Sequence, residues 1–318
     1  MKMFFRFFVM AILAISVCAC EAPGNGAEGD SGDDNNVEKP VVQEPVLELV
    51  NGTFYQINNN GGNVEVEIST NTTYEVNIPE EATEWVSLAE TRTETNKILV
   101  FAVEKNKSGS SRETKIAIAY DNKSVEFSIY QASSDGEKPE RPADALSTLY
   151  DNLTKDFAGV AMAYADCFGD YRHYNTGTGQ FMWQIYLQDY DARDQLLIEI
   201  LAPAFERDLV LPLGIFPVAD KRWVKDSVIP GAIVWDSEYS CYIESYSWYL
   251  RTKKSSTGGI PTWPPVYEDR APIIKGWLKI EEDPEEEGMH IVSFNFEDDA
   301  YNTISGSYRG PIYMSDAR

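Results

Sequence analysis

Residues 62–78, GNVEVEISTNTTYEVNI, carry the clearest structural signal in the chain. Apolar side chains alternate with polar ones at Val64, Val66 and Ile68, and the alternation resumes from Tyr74 after an Asn-Thr-Thr turn. Alternation of this kind buries one face of a strand and exposes the other. The stretch therefore predicts two strands separated by a turn.

The same pattern continues on both sides of this stretch, from residue 46 to residue 132. Further alternating runs lie at residues 98–103, 115–120 and 125–130, and residues 121–123, Asp-Asn-Lys, are typical of a tight hairpin. Short strands spaced this regularly favour an antiparallel β-sandwich.

A polar segment that contains proline, residues 133–142, predicts a linker to a second module over residues 143–318. Leu146, Leu149 and Leu153 fall at helical spacing and permit one short helix. Beyond them the sequence predicts about eight strands with short connections: residues 159–168, 181–188, 195–202, 232–235, 239–251, 273–281, 290–296 and 303–308. The predicted fold class is all-β, with an antiparallel calycin-like β-barrel or a second β-sandwich as the C-terminal module.

The N-terminus predicts the location of the protein. Lys2 and Arg6 precede or interrupt an apolar run that ends near residue 17, which is too short for a membrane span and is typical of a signal peptide. Ala19-Cys20 resembles the lipobox of bacterial lipoproteins, which implies cleavage after residue 19 and acylation of Cys20. An ordinary secretory signal is the alternative.

Residues 20–45 are rich in acidic residues, glycine, asparagine and proline, and predict a disordered tether. Acidic residues soon after a lipidated cysteine resemble surface-export signals of Bacteroidetes lipoproteins, and a plain spacer is the alternative. We expect a lipid-anchored protein of the outer membrane, at the cell surface. The periplasmic face of that membrane is the alternative location.

Several positions of the first module resemble the BACON family of Ig-like domains. They are Gly61-Gly62, Asn71, Tyr74, Trp85-Val86-Ser87, Asn106, Arg112 and Ile129-Tyr130-Gln131. The resemblance covers residues 46–132 and departs from the family at Tyr74, where tryptophan is more frequent. It implies an Ig-like fold in a Bacteroidetes surface protein, serving either to bind carbohydrate or as a spacer. A core role is expected for Trp85.

Composition and motifs argue against several functions. The net charge of −24 argues against a nucleic-acid partner. His173 and His290 are not spaced as metal ligands, and no nucleophile elbow, P-loop or dinucleotide motif is present, so the sequence predicts no cofactor, no metal site and no enzyme. Paired carboxylates such as Asp166 and Asp170 leave a glycoside hydrolase as a remote alternative.

The tryptophans of the C-terminal module are the candidate ligand-binding residues. Trp263 lies in a proline-stiffened loop, Trp223 lies near two basic residues, and Trp248 lies in a segment that alternates imperfectly. Each could present its ring to a sugar, or could instead fill a core. Of the four cysteines, Cys167 and Cys241 could form a disulfide or remain buried thiols.

These observations predict a non-catalytic envelope lipoprotein that binds polysaccharide, attached to the membrane through Cys20. A structural or accessory lipoprotein that contacts another envelope protein is the main alternative.

Overall fold

A computed structural model describes residues 44–93, 97–157, 162–170, 179–238, 240–253 and 267–318. Pro45–Arg318 forms one compact unit. Within the described ranges no helix is both long and apolar enough to cross a membrane. Cys20, the signal peptide, His173 and Trp263 lie outside the described residues.

Over residues 44–93 and 97–132, the first module contains eight strands and one 3₁₀ turn. These are β1 (Leu47–Leu49), β2 (Phe54–Ile57), β3 (Gly62–Thr70), β4 (Glu75–Asn77), η1 (Glu80–Ala82), β5 (Val86–Thr93), β6 (Lys97–Val103), β7 (Arg112–Tyr120) and β8 (Lys123–Gln131). One sheet has the order β1-β3-β6-β5 and the other β2-β8-β7-β4. The two sheets form the predicted β-sandwich, which is not purely antiparallel because β2 pairs in parallel with β8.

Alternation in the sequence accounts for the core of this sandwich. Val66 and Ile68 on β3 are fully buried, and Phe101 from one sheet meets Phe127 from the other with ring centroids 5.3 Å apart. The predicted hairpin between β7 and β8 is confirmed, because Asp121 and Asn122 both have positive φ, as a two-residue turn of this twist requires.

The described part of the second module contains fourteen further strands. They are β9 (Leu153–Phe157), β10 (Met162–Gly169), β11 (Gln180–Asp189), β12 (Asp194–Pro203), β13 (Gly214–Pro217), β14 (Ser227–Val228), β15 (Ala232–Asp236), β16 (Cys241–Ser245), β17 (Trp248–Thr252), β18 (Tyr267–Pro272), β19 (Lys275–Glu282), β20 (His290–Glu297), β21 (Thr303–Gly310) and β22 (Ile312–Asp316).

These strands form a second sandwich rather than a barrel. The seven-stranded sheet has the order β18-β17-β12-β11-β10-β22 with β14 beside β12, and the five-stranded sheet has the order β13-β19-β20-β21-β9. The all-β fold class is confirmed, and the sandwich is the correct alternative for the second module. The expectation of a purely antiparallel module is wrong, because β22 pairs in parallel with β10 and β9 in parallel with β21.

The short helix allowed by Leu146, Leu149 and Leu153 is not formed. Residues 146–152 contain no helical element, and Leu153 begins β9. Leu149 and Leu153 pack against the core of the second sandwich instead. Their spacing therefore reflects contact with a sheet, which overrides local helical preference.

The two sandwiches meet at a polar junction. Glu297, which is buried, accepts hydrogen bonds from Ser111 N at 2.7 Å and Ser111 Oγ at 2.8 Å, and pairs with Lys275 at 3.2 Å. In the linker, Lys138 Nζ donates to Asn302 Oδ1 at 2.9 Å. Because a buried carboxylate is held by donors from both modules, the junction is a specific interface.

Candidate functional site

An exposed aromatic pair lies on the hairpin formed by β15 and β16. Trp235 and Tyr242 are directly opposite each other, with ring centroids 5.1 Å apart in an edge-to-face arrangement. They are 53% and 69% exposed, respectively. Cross-strand aromatic pairs stabilise a two-stranded sheet, yet this pair also leaves a large apolar area in contact with water.

A second aromatic pair flanks the same hairpin in the chain, with Trp223 before it and Tyr246 directly after it. Trp223 is 39% exposed, and its ring lies 5.6 Å from Tyr246 in an edge-to-face contact. Arg222 Nη1 donates to Tyr246 Oη at 2.9 Å. Tyr246 packs in turn on Met182, Leu201 and Ile229, so the pair has a buried base.

Both members of this second pair have an unusual backbone conformation. Trp223 has φ +70° and Tyr246 has φ +74°, a region that bulky residues rarely adopt. Such conformations cost about 1–3 kcal/mol and persist where the surrounding structure holds them. Strain that places an aromatic ring at the surface is the kind of feature found at binding sites.

The two pairs are close together along the chain. Tyr242 and Tyr246 are four residues apart, so their Cα atoms are separated by at most about 14 Å. We call Trp223, Trp235, Tyr242 and Tyr246 the aromatic surface. Glu244, between the two tyrosines, is bound to Arg270, which leaves a paired rather than a free carboxylate beside the rings.

The tryptophans predicted to bind a ligand differ in their exposure. Trp223 is exposed and belongs to the aromatic surface, whereas the prediction for Trp263 falls outside the described residues. The prediction for Trp248 is wrong: its ring is fully buried, and Nε1 donates to Ser245 O at 2.8 Å. A ring enclosed on both faces cannot stack on a ligand.

Trp235 and its partner were missed by sequence reasoning. Trp235 lies in an alternating segment, where a core position is the default expectation. The available signal was the polar sequence Asp236-Ser237-Glu238 that follows it. A polar turn directly after an aromatic residue is consistent with a short hairpin that no second layer covers.

The possible disulfide between Cys167 and Cys241 is not formed, since both are free thiols. Cys167 is buried on β10 in the seven-stranded sheet, whereas Cys241 begins the separate hairpin strand β16. Burial raises the pKa of the Cys167 thiol, which leaves it protonated and a poor nucleophile.

Several acidic residues of the second module, among them Asp166 of the pair named for a glycoside hydrolase, are engaged in structural contacts. Asp166 accepts a hydrogen bond from Ser315 Oγ at 2.6 Å, and Asp189 pairs with Lys155 at 2.8 Å. The acidic run 281–288 forms the turn between β19 and β20, where Arg309 pairs with Asp283. Among the described residues no group of three or more His, Cys, Asp or Glu is arranged to hold a metal ion.

Trp85 in the first sandwich has the core role predicted for it. It is buried, and the Arg112 guanidinium lies 4.4 Å from the centroid of its ring. Arg112 is fixed by Nε donation to Gln131 Oε1 at 2.8 Å and Nη2 donation to Glu104 O at 2.8 Å. The adjoining groove, about 540 Å³ in volume, therefore offers a guanidinium rather than an open aromatic ring.

Asn106 completes this network. Its Nδ2 donates to the carbonyl oxygens of Ser110 and Ala132 at 2.9 and 3.0 Å, and its Oδ1 accepts from Ser108 N. Trp85, Asn106 and Arg112 are among the positions on which the family resemblance rests, and Asn106 holds the loop before β7.

Residues 75–132 match the BACON family model, described as "Putative binding domain, N-terminal". The match covers the later part of the first sandwich, from β4 to the end of β8. The first module thus contains a BACON domain. No curated protein matches the chain.

Several solved structures share distant similarity with the chain. A GH5 xyloglucanase of Bacteroides ovatus, in complex with a XXXG heptasaccharide, matches at 14% identity over 36% of this chain and 22% of its own, with a TM-score of 0.25. An NMR structure of a Bacteroides thetaiotaomicron protein matches at 14% identity over 33% and 98%, with a TM-score of 0.22. A three-domain Ig fragment of titin matches at 9% identity over 85% and 66%, also at 0.22. The chain spans about a fifth of the xyloglucanase, and matches at these TM-scores assign no function to it.

Proposed function

We propose that this BACON-containing chain is a non-catalytic envelope lipoprotein that binds carbohydrate through the aromatic surface of its second sandwich. The observation that carries the proposal is the exposed Trp235–Tyr242 pair, supported by Trp223 and Tyr246. Flat aromatic rings bind the apolar C–H faces of sugar rings, because stacking removes apolar area from water on both sides.

The charge of the protein restricts the class of ligand. A net charge of −24 repels anionic polymers. The two arginines beside the rings are already engaged, Arg270 with the carboxylate of Glu244 and Arg222 with the hydroxyl of Tyr246. A neutral polysaccharide is therefore the proposed ligand.

We expect Trp235→Ala to weaken polysaccharide binding by about tenfold, which corresponds to about 1.4 kcal/mol. The Trp235 ring is half exposed, and alanine cannot replace its stacking surface. Retardation of the purified protein in native gels that contain neutral polysaccharides measures the effect.

Tyr190→Ala is the matched control for this experiment. Tyr190 is also an exposed aromatic residue, 57% accessible, but lies in the turn after β11 and donates to Gln188. Its removal should leave retardation unchanged. Equal losses in the two variants would contradict a specific role for Trp235.

The proposed location depends on Cys20. Each buried methylene of an acyl chain contributes about 0.8 kcal/mol, so more than one chain on Cys20 would anchor the protein stably. Cys20→Ala should shift the protein from the membrane fraction to the soluble fraction and abolish incorporation of labelled fatty acid. Retention of the variant in membranes after washing with high salt would contradict a lipid anchor.

The absence of catalysis is also part of the proposal. In its support, Asp189 and Asp194 both form ion pairs with Lys155 at 2.8 Å. Stabilisation of the fold accounts for the proximity of these two carboxylates without a catalytic role. Release of reducing sugar from a bound polysaccharide, abolished by a single Asp or Glu substitution, would favour a glycoside hydrolase instead.

A structural or accessory role is the second candidate, and the edge strand β22 favours it. β22 ends the seven-stranded sheet, and Tyr313 and Met314 on this strand are 57% and 41% exposed. An exposed strand edge can pair with a strand of another protein. Crosslinks to one envelope protein that persist without glycan and disappear in Tyr313→Lys would support this role.

A further inference from the structure

A cleft of about 280 Å³ lies where the two sandwiches meet. It is separate from the aromatic surface, since none of its lining residues belongs to the β15–β16 hairpin. The first sandwich contributes Gln56, Ile57, Asn58 and Tyr130, together with Ala132 directly after it, and the second sandwich contributes Trp277 and Asn295.

Trp277 and Asn295 face the cleft from neighbouring strands. They are directly opposite each other on β19 and β20. The next residues along these strands, Leu278 and Phe294, belong to the buried core. Because side chains alternate between the two faces of a sheet, Trp277 and Asn295 lie on the outer face, toward the first sandwich.

Asn295 has an unsatisfied acceptor at this position. Its Oδ1 is shielded from solvent and accepts no hydrogen bond from any of the described residues. A buried carbonyl oxygen without a donor is unfavourable and is rarely left so in a folded protein. Rotation of the side-chain amide toward the cleft would let this oxygen accept a hydrogen bond from a ligand hydroxyl and remove the deficit.

The lining has a consistent chemical character. Trp277 and Tyr130 supply aromatic surface, Gln56 and Asn58 supply amides, and no Asp, Glu, Lys or Arg is among the lining residues. Burial raises the pKa of Tyr130, so its phenol is uncharged as well. In a chain of net charge −24, an uncharged cleft of this composition favours a neutral ligand with hydroxyl groups and one apolar face.

The walls of the cleft are fixed by contacts between the two sandwiches two residues away on the same two strands, β19 and β20. Lys275 and Glu297 are directly opposite each other, two residues from Trp277 and Asn295, respectively. The carboxylate of Glu297 accepts hydrogen bonds from the backbone N–H and the hydroxyl of Ser111 in the first sandwich. The walls of the cleft are thus positioned before any ligand arrives, which lowers the entropy cost of binding.

We propose that this junction cleft binds one sugar unit of a neutral saccharide, with the unit stacked on Trp277 and a hydroxyl donating to Asn295 Oδ1. Gln56 and Asn58 complete the hydrogen bonding from the side of the first sandwich. The site needs both sandwiches, so binding also couples them. It does not depend on the aromatic surface being a binding site.

Isothermal titration of the full chain with cellohexaose, mannohexaose, xylohexaose and laminarihexaose tests this proposal. We expect at least one hexasaccharide to bind, with affinity reduced about tenfold by Trp277→Ala and at least about threefold by Gln56→Ala. Because the Gln56 side chain is exposed, we expect Gln56→Ala to fold. It therefore tests the cleft even if Trp277→Ala fails to fold.

The double variant Trp235→Ala/Tyr242→Ala separates this site from the aromatic surface. That variant should still bind the hexasaccharide whose affinity is reduced by Gln56→Ala. The proposal is overturned if none of the hexasaccharides binds, or if the Trp277 and Gln56 variants bind as tightly as the unmodified chain. Loss of all binding in the Trp235/Tyr242 variant alone would support the aromatic surface and overturn the cleft.

Discussion

Replacing Asp194 with alanine is expected to lower the free energy of unfolding of the second sandwich by about 3–5 kcal/mol. Asp194 is buried at one end of β12 and accepts hydrogen bonds from Tyr249 Oη and Arg251 Nε, both at 2.7 Å. Lys155 on β9 pairs with it at 2.8 Å, which joins the five-stranded sheet to the seven-stranded sheet. Alanine would remove these three contacts at once and leave the Tyr249 hydroxyl without its acceptor, although Lys155 would keep Asp189 and Arg251 would keep Asp269.

Denaturant unfolding of the full chain measures this loss. Glu268→Ala is the control, because its carboxylate is 51% exposed and its ion pair with Arg193 lies at the surface. Surface ion pairs contribute about 0–1 kcal/mol. Similar losses for Asp194→Ala and Glu268→Ala would show that the buried connection between the sheets does not stabilise the fold.

The same carboxylate makes stability depend on pH. Burial alone would raise the pKa of Asp194, but hydrogen bonds from Lys155, Arg251 and Tyr249 lower it below the ordinary value of an aspartate. The folded state therefore favours the charged form, and this contribution is complete above the unfolded pKa of about 3.9. It is lost as the pH falls through the lower folded pKa, and Asp194→Asn should show a smaller loss of stability over that acid range than the unmodified chain.

Replacing Gly306 with alanine should have a comparable effect through steric conflict alone. An added Cβ would lie 1.8 Å from Lys155 O and 2.8 Å from the Phe294 ring. The carbonyl oxygen belongs to β9, which pairs with β21 at this position, so the two strands must separate. We expect a loss of about 3 kcal/mol or more, above the usual range for overpacked positions.

Gly288→Ala separates steric conflict from backbone strain. Gly288 has φ +79°, and an added Cβ meets no atom within 4 Å. It should therefore cost only about 1 kcal/mol, from strain in the left-handed region. Thermal unfolding measures both variants. Equal losses of stability in Gly306→Ala and Gly288→Ala would contradict the close contact between β9 and β21.

The sequence predicted the first module in greater detail than the second. In the first, alternation at Val64, Val66 and Ile68 and the turn at Asp121-Asn122 determine strands, core and hairpin through neighbouring residues alone. The choice between barrel and sandwich in the second depends on pairings between distant segments, such as β10 with β22. Local patterns do not encode such pairings.

The candidate site shows the same limit at the level of single side chains. Trp235 and Trp248 both lie in alternating segments, yet the first is half exposed and the second fully buried. The difference arises because β15 and β16 form their own two-stranded sheet, whereas β17 lies within the seven-stranded sheet. Exposure of an aromatic residue depends on whether a second layer covers its strand, which a single sequence does not specify.

The central claim is that the aromatic surface binds neutral glycan, and a glycan array tests it most directly. The full chain and Trp235→Ala/Tyr242→Ala would be compared on neutral and acidic plant, host and bacterial polysaccharides. We predict that the full chain binds one or more neutral polysaccharides and that the double variant loses at least about nine-tenths of that signal, with folding unchanged by circular dichroism. Equal binding by both proteins, or binding restricted to acidic glycans, would contradict the account.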